Sequence, residues 1–293
     1  MDFGFNSSIF ILCSLLLFQR LQITEGHLKI HTTNMKNDDH MENHLRFRIN
    51  QEGNSIQIPD KVSSLSQMDP ALNLFFYYND LKLGNKMLIY FPEKDPLTSP
   101  HLLTKQESDS IPFTSSQLPY ILQLFSFPHG SKQALAMETT LNHCEFPPIK
   151  GESKFCATSL EFMLDSISNI FGLNSRFKVL TTNYVTESIS PLQNYTIYEP
   201  PIEISAKKIV ACHTLPYPYA VFYCHGQVSD NMLYKVMLDG DDGGRVEATA
   251  MCHMDTSQWD PDHVAFRVLK TTPGASPVCH FFPADNLVWI PVS

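Results

Sequence analysis

The chain has 293 residues, of which 43% are apolar and 17% are charged, and its formal net charge is −9. These shares are typical of a globular protein with a sizeable core. The acidic balance and the lack of a Lys/Arg cluster argue against a nucleic-acid partner, because nothing would neutralise the phosphates. The same charge disfavours an anionic membrane surface.

The N-terminus carries an unbroken apolar run at residues 9–18 (IFILCSLLLF). This run is too short to cross a bilayer, which needs about 20 residues. Small residues at Thr24 and Gly26 offer a cleavage point before His27, so residues 1–26 are predicted to be a secretory signal peptide. The usual pattern is met incompletely, since no Lys or Arg precedes the run. No second long apolar run follows, and the mature chain is predicted to have no membrane span.

Residues 27–74 are polar and have no sustained apolar period, which predicts a mobile leader. Its histidines could bind metal loosely, but solvated surface is the favoured interpretation. The segment contains no Trp and no Tyr. At residue 75 the composition becomes aromatic and apolar, and one domain is predicted over residues 75–291.

Two helices and an early strand are predicted in the first half of this domain. The strand covers Lys86–Phe91 after a glycine turn. The first helix is predicted within Phe113–Phe127, with a proline in its first turn. The second follows Ala157, where apolar residues recur at helical spacing up to Phe171, and Gly172 is suited to end it. This apolar stripe is interpreted as core.

From residue 176 onward the pattern changes to short strands separated by Pro, Gly or Asp. The predicted strand segments are RFKVLTTNY, IEISAKKIVAC, YAVFYCHG, MLYKVML, RVEATAMC, HVAFRVL and VCHFF. The Asp- and Gly-rich run 239–244 is interpreted as a hairpin turn and not as a calcium loop, because the ligand spacing of a calcium loop is absent. The predicted fold class is α+β, with N-terminal helices followed by a mostly antiparallel β half.

Six cysteines remain after the predicted signal peptide: Cys144, Cys156, Cys212, Cys224, Cys252 and Cys279. An even number behind a signal peptide predicts disulfides in an oxidising compartment, with all 15 connectivities left open by the spacing. Asn194-Tyr195-Thr196 is a sequon, so Asn194 is a candidate glycosylation site.

The dipeptide Cys-His occurs four times, whereas random order predicts roughly 0.3 occurrences. The pairs are Cys212-His213, Cys224-His225, Cys252-His253 and Cys279-His280. Neighbouring side chains on a strand point to opposite faces, so each pair would send its sulfur to one face and its imidazole to the other. The sulfurs could close two disulfides, and a hairpin could bring His213 and His225 together. Four imidazoles would suit a copper or zinc ion. The alternative is that all four cysteines form disulfides and the histidines merely satisfy hydrogen bonds. A zinc ion held by the thiolates is less favoured than either interpretation, because no Cys-x-x-Cys spacing is present.

The spacing of the four pairs resembles that of the plant BURP domain. Supporting segments are FFYYNDLKLGNKMLIYF, DSIPFTSSQLPYILQLFS, HCEFPPIKGESKFCATSLEFMLD and PVCHFFPADNLVWIP. The resemblance covers about Phe75 to Pro291. Two segments are most similar to the unknown-seed-protein branch: TLPYPYAVFYCHG and MCHMDTSQWDPDHVAFRVL. It implies a disulfide-stapled fold, a disulfide between Cys144 and Cys156, and a secretory location in the cell wall, the apoplast or the protein storage vacuole.

The resemblance also implies functions. One branch is the non-catalytic subunit of a polygalacturonase, another is induced by dehydration, and some members are copper-dependent cyclases that crosslink a Trp or Tyr side chain of a peptide. Copper is therefore a candidate cofactor, and the resemblance makes the histidines of the four pairs its candidate ligands: His213, His225, His253 and His280.

The expected function is that of a non-catalytic seed or cell-wall protein with a wall, vacuolar or peptide ligand. The alternative is a copper-dependent cyclase acting on a separate peptide, because the polar leader lacks an aromatic acceptor for self-cyclisation. A polygalacturonase subunit is disfavoured, since an acidic protein would repel pectin and long repeats are missing. No nucleophile elbow or comparable motif indicates a hydrolase. Trp259 and Trp289 are interpreted as packing residues.

Overall fold

A computed structural model describes residues 72–92, 99–149, 151–186, 188–227 and 230–292. The predicted signal peptide (1–26) and the leader up to residue 71 lie outside the described residues. No helix in the described part of the chain has the length and apolar character that crossing a bilayer requires.

The helices of the described part are short, and most precede the β-rich half. Their bounds are α1 Lys105–Asp109, α2 Leu118–Leu124, α3 Lys132–Glu145, α4 Leu160–Phe171 and α5 Val264–Leu269. The strands begin before the helices and continue to the end of the domain. Their bounds are β1 Phe75–Tyr77, β2 Lys86–Tyr90, β3 Glu152–Ala157, β4 Phe177–Leu180, β5 Asn183–Thr186, β6 Leu192–Ile197, β7 Ile202–Ile204, β8 Val210–Leu215, β9 Val221–Gln227, β10 Asn231–Gly240, β11 Arg245–His253, β12 Val278–Phe281 and β13 Leu287–Pro291.

The strands form two antiparallel sheets. The larger sheet has eight strands in the order β1-β12-β11-β10-β6-β2, with β5 added beside β11 and β7 beside β10. The smaller sheet has five strands in the order β3-β9-β8-β13-β4. The predicted α+β class with a mostly antiparallel β part is confirmed. The strands β1 and β2 join a sheet that is otherwise built from the second half of the domain.

Alternating residues of single strands belong to different cores. Ala211 and Met251 lie with Phe282 and Val288 in a core that draws on both sheets. Their chain neighbours point the other way, because successive side chains of a strand alternate between faces. The sulfur of Cys212 therefore packs under α4 in one outer core, and that of Cys252 packs in the outer core of the larger sheet. The two sheets thus face each other across a shared apolar layer.

The helix α4 begins and ends as the sequence predicts. Ser159 caps it, because its Oγ accepts a hydrogen bond from the backbone N–H of Phe162. The buried side chains of Met163, Ile167 and Phe171 face the smaller sheet. Gly172 follows with φ 108°, a value that favours glycine. The predicted turn at residues 239–244 is also confirmed, with Gly243 at φ 87°.

Two predicted strand segments, RFKVLTTNY and IEISAKKIVAC, each divide between two strands that join different sheets. A third prediction is wrong, because the segment HVAFRVL forms the helix α5. Its apolar residues fit either period in so short a stretch. The ring Nδ1 of His263 accepts a hydrogen bond from the N–H of Ala265 and so caps a helical turn. Ala265 and Phe266 are buried against Val278 of β12. The helix α3 was not among the predicted elements, and its apolar face is weak.

Candidate metal centre

The six cysteines form three disulfides. Two of them join directly opposite residues of adjacent strands: Cys212 with Cys224 between β8 and β9, and Cys252 with Cys279 between β11 and β12. The Cα–Cα distance is 4.0 Å in both. The third disulfide joins Cys144 at the end of α3 to Cys156 of β3. This last pairing is the one implied by the BURP resemblance.

Each cross-strand disulfide brings together the two histidines that follow its cysteines. The sulfurs point into the outer cores, so the imidazoles point toward the space between the sheets. His213 and His225 come from the smaller sheet, and His253 and His280 come from the larger sheet. Next to His225, Gly226 approaches the neighbouring chain so closely that an added Cβ would lie 2.6 Å from the carbonyl oxygen of Ile209.

The four imidazoles are linked by consecutive ring contacts. The ring centroids of His225 and His213 are 5.5 Å apart, those of His213 and His280 are 5.8 Å apart, and those of His280 and His253 are 5.5 Å apart. Phe282 packs against two of these rings, stacked on His213 and tilted against His280. The structure therefore brings all four sequence-predicted histidines together, and we call them the four-histidine cluster.

In each ring of the cluster, Nδ1 has an oxygen partner. Nδ1 of His213 lies 2.8 Å from Oδ1 of Asn286, and Nδ1 of His253 lies 2.9 Å from Oδ1 of Asn231. Nδ1 of His225 lies 3.2 Å from Oε1 of Glu152. Nδ1 of His280 has a longer contact, 3.4 Å, with the carbonyl oxygen of Phe281. Oxygen acceptors place the proton on Nδ1 and leave the lone pair on Nε2, the arrangement that metal-binding histidines use.

The orientation of Asn286 is set by its own neighbour. Its Nδ2 donates a hydrogen bond to Oδ1 of Asp285, so its Oδ1 faces His213. Asp285 is held in turn by Oγ1 of Thr214. None of these partners was singled out in the sequence. Asp285 and Asn286 lie about 70 residues from His213, and no local motif links them to it.

Burial favours the neutral form of three histidines of the cluster, His213, His253 and His280. Desolvation, with a smaller effect from the charge of His225, lowers the pKa of His213 to about 3. Desolvation and the charge of His213 lower the pKa of His280 to about 3. The pKa of His253 lies well below its usual range, first because of burial and then because of His280. Neutral imidazoles are the form that binds metal ions.

The donor set fits a metal ion in part. Nε2 of His253 and Nε2 of His280 face each other at 3.4 Å, a hydrogen-bond contact in which one nitrogen donates to the other until a metal ion takes the place of the proton. A tetrahedral ion with bonds of about 2.0–2.1 Å holds two ring nitrogens about 3.3 Å apart. Within the described ranges, however, no three His, Cys, Asp or Glu side chains already converge around one point. His213 and His225 would have to move toward the pair to share one ion. When bound there, copper would supply one-electron chemistry.

Further aromatic rings contact the cluster. Tyr223 lies 5.0 Å from His225 and 4.3 Å from His143, measured between ring centroids. Trp259 lies 4.8 Å from His253 and 4.6 Å from His263. Because Nδ1 of His263 accepts the helix N–H, its proton is on Nε2, and it has no free lone pair for a metal.

The two tryptophans have different surroundings. Trp289 is 7% exposed and packs in the outer core of the smaller sheet, as expected. Trp259 is half-buried in the loop between β11 and α5, where it packs against Phe266 and also contacts the four-histidine cluster. The contact of Trp259 with His253 was not predicted, because it joins a residue of a loop to a residue at the end of a strand.

The candidate glycosylation site lies on a strand. Asn194 is exposed in β6, and its Nδ2 donates a hydrogen bond to Oδ2 of Asp241. Two pockets of the described surface have volumes of about 220 and 290 Å³, and neither is lined by a histidine of the cluster. The cluster is partly accessible at His225, whose side chain is 26% exposed.

The comparisons with known proteins agree with this architecture. The BURP domain family matches residues 74–291. The BURP domain protein USPL1 of Arabidopsis thaliana is 50% identical over 227 residues, which are 76% of this chain and 81% of that protein. The BURP domain-containing protein BNM2A of Brassica napus is 48% identical over 227 residues, 76% of this chain and 80% of that protein. The BURP domain protein RD22 of Arabidopsis thaliana is 39% identical over 224 residues, 75% of this chain and 56% of that protein.

The fold is a pair of antiparallel sheets braced by disulfides, and its histidines come from four Cys-His pairs at the BURP spacing. These features together define a plant BURP-domain protein. The chain belongs to the BURP domain family. The resemblance to its unknown-seed-protein-like members, predicted from the sequence, is confirmed.

Proposed function

We propose that this chain is a non-catalytic protein of the plant secretory pathway, acting in the seed or the cell wall, and that its four-histidine cluster binds a copper ion. The final compartment is proposed to be the apoplast, the cell wall or the protein storage vacuole. Three disulfides support an oxidising compartment. The Nε2 pair of His253 and His280 carries the copper part of the proposal.

The non-catalytic part rests on the surroundings of the cluster. Small-molecule sites are usually clefts of about 300–1,000 Å³. The two pockets described above, of about 220 and 290 Å³, fall just below this range, and neither is lined by a histidine of the cluster. The leader, residues 27–74, also contains no Trp or Tyr on which a copper-dependent cyclase could act. A buried, braced copper site with little room for substrate suits binding or storage better than turnover.

A second function, a copper-dependent cyclase acting on a separate peptide, has one observation in its favour. The side chain of His225 is 26% exposed, and its Nδ1 is held by the carboxylate of Glu152. An extended peptide could reach His225 across the surface without entering a deep cavity. The residues that would hold copper are the same in both proposals.

Metal analysis of the protein purified from a eukaryotic secretory host tests the copper site. We expect stoichiometric copper that is lost in His253→Ala and retained in His129→Ala, a matched change at an exposed histidine outside the cluster. Well-folded protein without copper after incubation with the ion would overturn the site.

Mass spectrometry then separates the two functions. Copper-loaded protein is incubated with peptides that contain Trp or Tyr. We expect the peptide mass to stay unchanged, in keeping with a non-catalytic role. A loss of two hydrogens from the peptide, dependent on copper and absent in His253→Ala, would establish the cyclase instead.

A further inference from the structure

The larger sheet ends in two strands that come from the beginning of the domain. Among the described strands, β1 pairs on one side with β12, and β2 pairs on one side with β6. Phe76 of β1 and Ile89 of β2 share one core although their strands lie at opposite ends of the strand order, so the sheet curls. Its two end strands therefore approach each other, and the pocket of about 220 Å³ lies between them.

The backbone of β2 is open toward this pocket. In an antiparallel pair, successive residues direct their N–H and C=O groups alternately toward the neighbouring strand and away from it. Just beyond β2, the N–H of Phe91 donates a hydrogen bond to the carbonyl of Pro191 on the β6 side. Counting back in steps of one, Leu88 directs its backbone groups away from β6. Its side chain is 49% exposed, and an open edge with an exposed apolar residue invites another strand.

The lining of the pocket is mostly apolar. Phe76 and Ile89 belong to the core of the larger sheet, and Met87 packs against it, so an apolar side chain entering the pocket would extend that core. Leu88 lies on the outer side of the same lining. Asp80 is the one charged residue among the described residues of the lining. The pocket therefore suits a strand with an apolar inner face and basic residues on its outer face.

One segment of the leader has this pattern in its sequence. Leu45, Phe47 and Ile49 alternate with Arg46 and Arg48. Such alternation over five residues is typical of a strand with one apolar and one polar face. Five residues are too few to form a sheet without partners, because even an isolated pair of strands is marginally stable in water. The segment therefore needs an existing sheet edge to pair with.

The segment is tethered within reach of the pocket. It lies outside the described residues, but the chain that follows it leads to Asn73, which is part of the pocket lining. The 23 residues between Ile49 and Asn73 can span about 75 Å when extended. A tether of this kind raises the effective concentration of the segment at the sheet edge, so a weak intrinsic affinity is sufficient for binding.

We infer that residues 45–49 bind along the open edge of β2 as an added strand of the larger sheet. Leu45, Phe47 and Ile49 cover the pocket, and the two arginines between them face solvent on the side of Asp80. The bound segment also blocks an edge that would otherwise be available to a second copy of the chain. This interaction surface goes beyond the proposed function and does not depend on the copper site.

Hydrogen–deuterium exchange, followed by mass spectrometry on the full chain secreted from a eukaryotic host, tests the inference. Phe47→Pro removes the phenyl ring and a backbone N–H, so the amides of residues 45–49 and of Leu88 should exchange several-fold faster than in the wild type. Ile56→Pro is the matched control, because it makes the same kind of change elsewhere in the leader. It should leave the exchange at Leu88 unchanged.

A peptide added in trans gives a second measurement. A synthetic peptide with the sequence of residues 44–50, added to the Phe47→Pro protein, should restore slow exchange at Leu88. The same peptide carrying proline in place of Phe47 should not restore it. Both variants change the leader and not the domain, so exchange at buried Val236 in the middle of the larger sheet should stay at the wild-type rate and verify folding.

Each contrary outcome overturns a definite part of the inference. Equal exchange at Leu88 in the wild type and in Phe47→Pro would overturn the docking of residues 45–49. A loss of protection in Ile56→Pro in place of Phe47→Pro would assign the edge to a different part of the leader. Protection that persists in Phe47→Pro and increases with protein concentration would assign the edge to a second copy. A failure to bind copper would overturn the proposed function and leave this inference standing.

Discussion

The disulfide between Cys252 and Cys279 is expected to stabilise the fold and to hold two histidines in place. Replacing both cysteines with alanine removes the covalent link between β11 and β12 at the residues that precede His253 and His280. The backbone pairing of the two strands remains. The cysteines are 27 residues apart in sequence. In the loop-entropy description, a closure of this length contributes about 3.5 kcal/mol to the free energy of unfolding.

A matched variant separates stability from site geometry. The disulfide between Cys144 and Cys156 spans 12 residues, and its loss should cost about 3 kcal/mol. The two double variants should therefore be destabilised to a similar extent. Only the change at Cys252 and Cys279 is next to histidines of the cluster, so it should also lower the copper affinity by about tenfold or more, as losses of ligand orientation do.

Urea denaturation with linear extrapolation measures the free energy of unfolding. Competition with a copper chelator measures the affinity. A loss of less than about 1 kcal/mol in the variant of Cys252 and Cys279 would refute the stabilising role, because it lies far below the loop-entropy value. Equal copper affinity in the two double variants would refute the idea that the disulfide positions the imidazoles.

Three further changes follow from single contacts. Glu152→Gln removes the charge that orients His225, and the copper affinity should fall by about tenfold in the competition assay. Asp242→Asn should flatten the acid limb of the curve of unfolding free energy against pH. Hydrogen bonds from the backbone N–H of Gly244 and the hydroxyl of Ser188 hold the pKa of Asp242 well below its usual range. The stabilisation by Asp242 is therefore present above the unfolded pKa of about 3.9 and is lost as the pH falls toward the folded pKa. Asn194→Gln should abolish the mass lost on glycosidase treatment of protein from a eukaryotic secretory host.

Each of these has a contrary result. An unchanged copper affinity in Glu152→Gln would mean that the carboxylate does not orient the ring. A stability curve of Asp242→Asn that falls in acid as steeply as the wild type would remove Asp242 from the acid response. A glycosidase-sensitive mass that persists in Asn194→Gln would show that the glycan is attached elsewhere.

Local patterns in the sequence were sufficient for much of the fold. The alternation of side chains along a strand predicted that each Cys-His pair would separate its sulfur from its imidazole, and Cys212 and His213 do lie on opposite faces of β8. The apolar spacing after Ala157 and the glycine at 172 predicted α4, which spans Leu160–Phe171. These features depend on residues a few positions apart, so a single segment contains the information. The helix α5 was misread because six residues are too few to distinguish the two periods.

The cluster itself depended on contacts between distant parts of the chain. Its two halves come from different sheets, and their meeting depends on how those sheets pack over the apolar layer that contains Ala211 and Met251. The oxygens that orient the rings, on Asn286 and Glu152, lie about 70 residues from their histidines. The contact of Trp259 with His253 joins a loop to a strand end. No periodicity encodes such pairs, because they arise when separate segments are packed together and not from the preferences of either segment.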